Sequence, residues 1–367
     1  MKKLVILITF SLAGLLIASI FHFDTRNACI TFFNLTWFSQ QYAGVCARFE
    51  PQINKTAHKA EIALKPKEER FKFKGLSKMI PGPPTMLAWA NNTNGQWDLY
   101  LRKYGGEVHR LTNTEEDELF PRISPNGEWL FFIRHLGTSS YLGRFSLFNL
   151  KEDSLHINSV EFISFIDHHT ALIDPLDPKT GKRHIRKMDI RTGKQSDNPI
   201  NYLPQYKSIN LHQPAANKGK NLMYILVNRL GWRVEMVNLV NGNTREIGSG
   251  CRPSTAFGSE LMAMTSNRGN GQSSIVIHNY KTGDIRTIVD MPGPVSHEYD
   301  GTLSSDGKWL LFTVSPNNQT IAENGANYRL YACPIKDCSN PEIILDMPGA
   351  DSFPYLHVLQ SKKHGTE

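Results

Sequence analysis

The sequence has no Gly-x-Ser-x-Gly, no Cys-x-x-Cys and no His-Glu-x-x-His. The first absence removes the nucleophile elbow of an α/β hydrolase, and no hydrolase domain is expected beyond Leu359. The other two remove the common thiolate zinc sites and a helix-borne metalloprotease centre. Helical periodicity is scarce as well. Outside Ala57 to Arg70, where Lys, Glu and Ala dominate, apolar residues alternate or run in short blocks broken by Gly, Asn and Asp, which is the pattern of strands and turns. Lys and Arg number 41 against 34 Asp and Glu, a net +7. Apart from Lys59 to Lys74 they are scattered, without the basic stripe and interleaved aromatics of a nucleic-acid surface, so nucleic acid is not an expected partner. At 40% hydrophobic and 10% aromatic over 367 residues, the chain buries a substantial core and is not of the disordered class.

Cysteine is also sparse, at five residues. Cys333 and Cys338 bracket Pro334-Ile335-Lys336-Asp337, a hairpin tip across which a local disulfide is reachable. Cys29 and Cys46 flank a second short segment, and Cys251 is left as a buried thiol.

What is present begins with an address. Met1-Lys2-Lys3 precedes Leu4 to Phe23, about twenty residues without a charge, the length of a secretory signal or of one membrane-spanning helix. No small-x-small cleavage site stands at its end, which favours an uncleaved anchor over residues 1–23. The lysines before it place the N-terminus inside and the remainder outside the cytoplasm. The expected location is therefore a single-pass protein of the inner membrane with its globular part periplasmic. Residues 24–84 read as a stalk with a short helix, ended by Pro81-Gly82-Pro83-Pro84.

From Thr85 onward the chain is a repeat. Ser124-Pro-Asn-Gly-Glu-Trp-Leu-Phe-Phe132 returns at Ser304-Ser-Asp-Gly-Lys-Trp-Leu-Leu-Phe312. Asn126-Gly127 and Asp306-Gly307 are dipeptides suited to tight two-residue turns, each leading into a short apolar run that starts at Trp129 or Trp309. Both tryptophans are expected as core anchors. Fainter copies start at Ala216 and Phe257. Further hairpins are centred on Thr192-Gly193, Asn241-Gly242 and Thr282-Gly283. Inner strands near Phe120, Glu161, Ile209, Ser254, Tyr299 and Phe353 give six units of a β-propeller over residues 85–359, followed by a polar tail, 360–367. The last unit is incomplete, and Met86 to Thr112 supply its missing strands, so that both termini close the ring and leave no bare sheet edge.

Trp97-Asp98-Leu99-Tyr100, Gly105-Gly106, Arg110-Leu111-Thr112-Asn113, Phe120-Pro121 and Ser124 to Phe132 together resemble one blade of the TolB-like six-bladed propeller family. The resemblance is specific over Trp89 to Arg134 and Tyr299 to Val314. It is faint from Ser159 to Asn228, where Pro175, Pro178 and Pro204 interrupt the strands. The family's separate α/β N-terminal domain has no recognised counterpart. The resemblance implies a binding module, without a cofactor, that docks an envelope protein or macromolecular complex, and loops such as Asp174 to Arg183 and Pro316 to Asn327 are where contact is expected. It extends also to metal-dependent, lyase-like pore enzymes acting on acidic oligosaccharides. In that alternative His212, His297 and Asp300 are the candidate ligands of a divalent cation.

Overall fold

A computed structural model describes residues 85–359 except 94, 104–105, 138, 218–220, 230, 257–258, 269–272, 292–296, 316–327 and 346. The candidate anchor and stalk, Cys29 and Cys46, and the tail 360–367 lie outside the described residues. Among the described residues no helix is long and apolar enough to cross a membrane.

The described chain is all β, apart from a 3₁₀ turn at Pro199–Tyr202. It runs through β1 (Thr85–Asn91), β2 (Asp98–Lys103) and β3 (Val108–Arg110), then β4 (Asp117–Ile123), β5 (Trp129–Leu136) and β6 (Ser139–Ser146) with the edge pieces β7 (Lys151–Glu152) and β8 (Ile157–Asn158). Next come β9 (Ile163–Phe165), β10 (Thr170–Ile173), the excursion β11 (Leu176–Asp177) and β12 (Lys182–Arg183), β13 (Arg186–Asp189) and β14 (Gln195–Asp197). They are followed by β15 (Leu211–Asn217), β16 (Leu222–Asn228), β17 (Trp232–Asn238), β18 (Thr244–Thr255), β19 (Leu261–Ser266), β20 (Ser274–Asn279) and β21 (Ile285–Val289). Last are β22 (His297–Leu303), β23 (Trp309–Ser315), β24 (Arg329–Pro334), β25 (Glu342–Ile343) and β26 (Asp351–Val358).

Neighbouring strands pair in the orders β26-β1-β2-β3, β4-β5-β6-β7, β9-β10-β13-β14, β15 to β21 in sequence, and β22-β23-β24-β25. The long β18 divides its sheet: Thr244 to Ser249 pair with β17, and Gly250 to Thr255 pair with β19. The first strands of these groups lie against one another, β4 on β26, β26 on β22, β22 on β18, β18 on β15 and β15 on β9. Pro175 precedes the β11–β12 excursion and Pro178 lies in its turn, which is why the repeat fades there in sequence.

The second strand of a group is buried on both sides. In β5, Leu130, Phe131, Phe132 and Ile133 are all 0% exposed, so a continuous apolar run replaces alternation. The outermost strands β3, β7, β14 and β25 are polar and mostly exposed, as suits a sheet edge that must not recruit another chain.

The two matched turns share one geometry that differs from the expected two-residue form. Only the glycines are left-handed, with φ of 73° at Gly127 and 69° at Gly307. Asn126 and Asp306 contribute their side chains, each accepting from the hydroxyl of Ser124 or Ser304 at 2.6 Å. That serine oxygen accepts in turn from the N–H of Trp129 or Trp309 at 3.0 Å. The turn is therefore held by side-chain hydrogen bonds as well as by glycine. Trp129 packs against the core under the Arg144 guanidinium, 4.1 Å from its ring, and Trp309 packs against the adjoining core. The Cys333–Cys338 disulfide forms, with Cα atoms 5.1 Å apart.

Candidate functional site

Five of the innermost strands carry the same irregularity. The register slips by one residue between Leu119 and Arg122 of β4, His212 and Ala215 of β15, Cys251 and Ser254 of β18, Tyr299 and Thr302 of β22, and Ser352 and Tyr355 of β26. Each slip is a β-bulge whose first residue is left-handed: Phe120 (φ 55°), Gln213 (45°), Arg252 (58°), Asp300 (52°) and Phe353 (53°). The next residue is Pro121, Pro214, Pro253, Gly301 or Pro354. A proline is accepted here because the bulge leaves an N–H without a ladder partner. Positive φ at Phe or Arg costs of order 1–3 kcal/mol per position, and backbone strain of that size, repeated around one axis, marks the place where function is sought.

The bulges bring the side chains together. Phe120 and Phe353 meet edge to face with ring centroids 4.2 Å apart, and Phe162, just before β9, lies 6.2 Å from Phe120. The Arg252 guanidinium stands 4.2 Å from the Phe120 ring, 5.3 Å from Tyr299 and 5.5 Å from Phe353. Its Nε is 3.5 Å from Asp300 Oδ1, and the other carboxylate oxygen accepts from the Ser352 hydroxyl at 3.0 Å. The Arg252 N–H donates to the Gln213 side chain at 2.8 Å. Arg122, two residues past the bulge in β4, stands against the rings of Phe162 and Tyr355 at 5.6 and 5.4 Å.

Burial sets the electrostatics. It raises the Asp300 carboxyl, with Arg252 opposing, and pulls the Arg122 guanidinium down to about 10. The Tyr355 hydroxyl is pushed up to about 12 by the same cause. Cys251, expected as a buried thiol, is half-buried, with Sγ 3.8 Å from the Tyr299 hydroxyl. Burial raises its thiol, so it is a poor thiolate.

The expected metal ligands fall unevenly. Asp300 is in the cluster but committed to Arg252 and Ser352, so a cation at its oxygens would sit beside a guanidinium. His212 lies at the start of β15, edge-on to Trp232 with ring centroids 5.3 Å apart, and burial holds it down to about 4. The His297 backbone, in β22, pairs with Ser315 of β23; its side chain lies outside the described residues. Among the described residues no group of three or more His, Cys, Asp or Glu stands close enough to share a metal ion. Nearby, Asp174 accepts from the N–H groups of Glu161 at 3.1 Å, Phe162 at 2.8 Å and Gln213 at 3.2 Å, and burial pushes it up to about 7. It ties β9 to β15.

Sequence reasoning found Asp300 and the inner strands but not Arg122, Arg252, Phe120 and Phe353 as one cluster. The available signal was the recurrent Pro121, Pro214 and Pro253, with Gly301, each three residues before the residue that opens the following turn.

No protein-family model matches the sequence, and no curated protein is similar to it in sequence. Solved structures do match. TolB from Acinetobacter baumannii superposes with a TM-score of 0.58 at 12% identity, covering 76% of this chain and 68% of that one. A chain of the nidogen/laminin complex superposes with a TM-score of 0.51 at 12% identity, covering 74% of this chain and 98% of that one. An oligogalacturonate lyase from Vibrio parahaemolyticus superposes more loosely, with a TM-score of 0.42 at 15% identity over 69% of this chain and 72% of that one. At these identities the likeness is one of fold, and the fold is a TolB-like β-propeller.

Proposed function

We propose that the chain is a six-bladed β-propeller, anchored at the inner membrane by residues 1–23 with its globular part periplasmic, and that it binds a protein or macromolecular complex of the cell envelope. The strand groups are read as the blades. The pairing of β1 with β26, Thr85 opposite Val358 through Asn91 opposite Asp351, is read as the closure that joins the two ends of the chain.

The observation that carries the binding role is the axial cluster. Strained bulges from five strands bring aromatic and charged groups together, and the carboxylate among them, Asp300, is committed to Arg252 and Ser352. Convergent aromatic and charged side chains of this kind are read as a recognition site. The nidogen neighbour, solved in complex with laminin, is a propeller of this fold found with a protein partner.

The test is site-specific photo-crosslinking in intact cells of the source, with the crosslinker at Trp232 in one variant and at Lys308 in another. Trp232 follows the connector at the end of the sheets where innermost strands begin, and Lys308 lies in the turn at the opposite end. A discrete crosslinked species from one position, recovered with the membrane fraction, is the expected result. Absence of any discrete species from both positions refutes the binding role, and recovery of the chain in the soluble cytoplasmic fraction refutes the location.

A further inference from the structure

The charge of the axial cluster does not balance. Two guanidiniums, Arg122 and Arg252, face one carboxylate, Asp300, and both oxygens of that carboxylate are taken by Arg252 and Ser352. Arg122 is left over. Its hydrogen bond among the described residues goes to the carbonyl of its own neighbour Pro121, at 3.0 Å. A cation withdrawn from water is normally paired, because an uncompensated charge in a low-dielectric site is costly. Arg122 is half-buried, so part of it remains accessible to a ligand.

Its surroundings select what can complete it. The Phe162 and Tyr355 rings stand 5.6 and 5.4 Å from the guanidinium, and apart from the Nη1 bond to Pro121 its N–H groups are available to donate to a ligand. A planar anion with two oxygens side by side fits those donors, and a carboxylate is the match. The same wall holds a second group without a partner. His357 lies two residues beyond Tyr355 on β26 and so on the same side of the strand. It is 3% exposed, and neither ring nitrogen has a hydrogen-bond partner.

We propose that Arg122 is the receptor for a single carboxylate carried by an extended segment of the protein partner, either an acidic side chain or the carboxylate at the end of a chain. The guanidinium donates two parallel hydrogen bonds to it, and the Tyr355 ring holds the fork in place. Arg122 is the penultimate residue of β4, so the segment enters from the end of the channel where the Asn126-Gly127 and Asp306-Gly307 turns lie. This inference rests on the binding-module reading and gives that module its chemistry.

The experiment titrates the full chain by calorimetry with three short peptides: doubly blocked Gly-Glu-Gly, doubly blocked Gly-Gln-Gly, and N-blocked Gly-Gly-Gly with a free carboxylate. Binding of the first identifies a side-chain carboxylate, binding of the third a terminal one, and the second does not bind. Arg122→Gln weakens the carboxylate peptide at least about tenfold, and Arg122→Lys, which keeps the charge and loses the fork, weakens it by about as much. Arg191→Gln, at the exposed rim, leaves binding unchanged, and thermal melts establish that each variant is folded. Equal binding of the Glu and Gln peptides, undiminished binding by Arg122→Gln, or no binding of either carboxylate peptide overturns the proposal. If Arg122→Gln crosslinks the same partner in cells as the wild type, the binding module stands and this inference alone fails. If neither protein crosslinks anything, the fault lies in the module reading.

Discussion

His278 offers a quantitative test of how tightly the sheets exclude water. It lies on β20 with 0% exposure, and its Nδ1 is 3.0 Å from the Tyr224 hydroxyl on β16, while Nε2 is buried without a partner. Burial, helped by Arg245, holds its pKa down to about 4. The ring is thus neutral in the folded protein where the unfolded chain, with a histidine pKa of about 6.5, already takes up a proton. With the folded pKa the lower of the two, His278 stabilises the fold fully above pH ~6.5, and that contribution is lost as pH falls towards about 4. Each pKa unit is worth about 1.4 kcal/mol, so the whole window amounts to about 3 kcal/mol, of which about 2 kcal/mol falls between pH ~7 and ~5. The variant His278→Gln keeps an acceptor for Tyr224 and removes the titration. Buried carboxyls shift stability the other way: burial raises Asp98 to about 6 and Asp174 to about 7, so both favour the fold at low pH and lose that effect as pH rises through those values. They are common to both proteins and cancel in the difference. Urea melts followed by tryptophan fluorescence are expected to show the variant less stable near neutrality, with the gap closing by about 2 kcal/mol on going to pH ~5. Parallel stability curves across that range would refute the claim that the ring is dry.

Three further variants probe the backbone and the crosslink. Gly250→Ala, at the point where β18 passes from one group to the next (φ 151°), drives a Cβ into the Thr265 carbonyl oxygen and to 2.9 Å from Met264. The expected cost exceeds about 4 kcal/mol and is read as loss of soluble protein. Gly181→Ala, in the β11–β12 excursion with nothing within 4 Å of its Cβ and φ of 64°, costs only about 1 kcal/mol by the same melts, the penalty of a left-handed alanine. Replacing Cys333 and Cys338 by serine opens a short loop and lowers stability by about 2 kcal/mol in the chain-entropy account. An unchanged melting midpoint would show that the β24–β25 hairpin is fixed by packing alone.

How much of this was legible in the sequence depends on the range over which each feature is determined. The matched turns were legible because serine, Asn or Asp, glycine and tryptophan act within six residues of one another, so local hydrogen bonding leaves its mark on adjacent letters. The Cys333–Cys338 bridge was legible for the same reason. The exact turn form was not, since whether Asn126 takes positive φ depends on what its side chain finds, and it finds the Ser124 hydroxyl. The axial cluster lies at the other extreme. Arg252 and Asp300 are separated by 48 positions and Phe120 and Phe353 by far more, and they meet only because successive strands converge on one line. The bulges themselves did leave a trace, a proline in the middle of a strand, which is tolerated only where the ladder needs no donor. Read singly, such a proline argues against a strand; repeated at the same distance before each turn, it locates the axis. What the repeat does not encode is which residue precedes the proline or, once, the glycine, and there Phe, Gln, Arg, Asp and Phe replace one another freely. The invariant part of each bulge builds the scaffold, and the variable part sets which side chains meet there. The residues that depart most from the repeat, Arg122 beside its apolar and hydroxyl-bearing counterparts Ala215, Ser254 and Thr302, are therefore the ones in which recognition is to be sought.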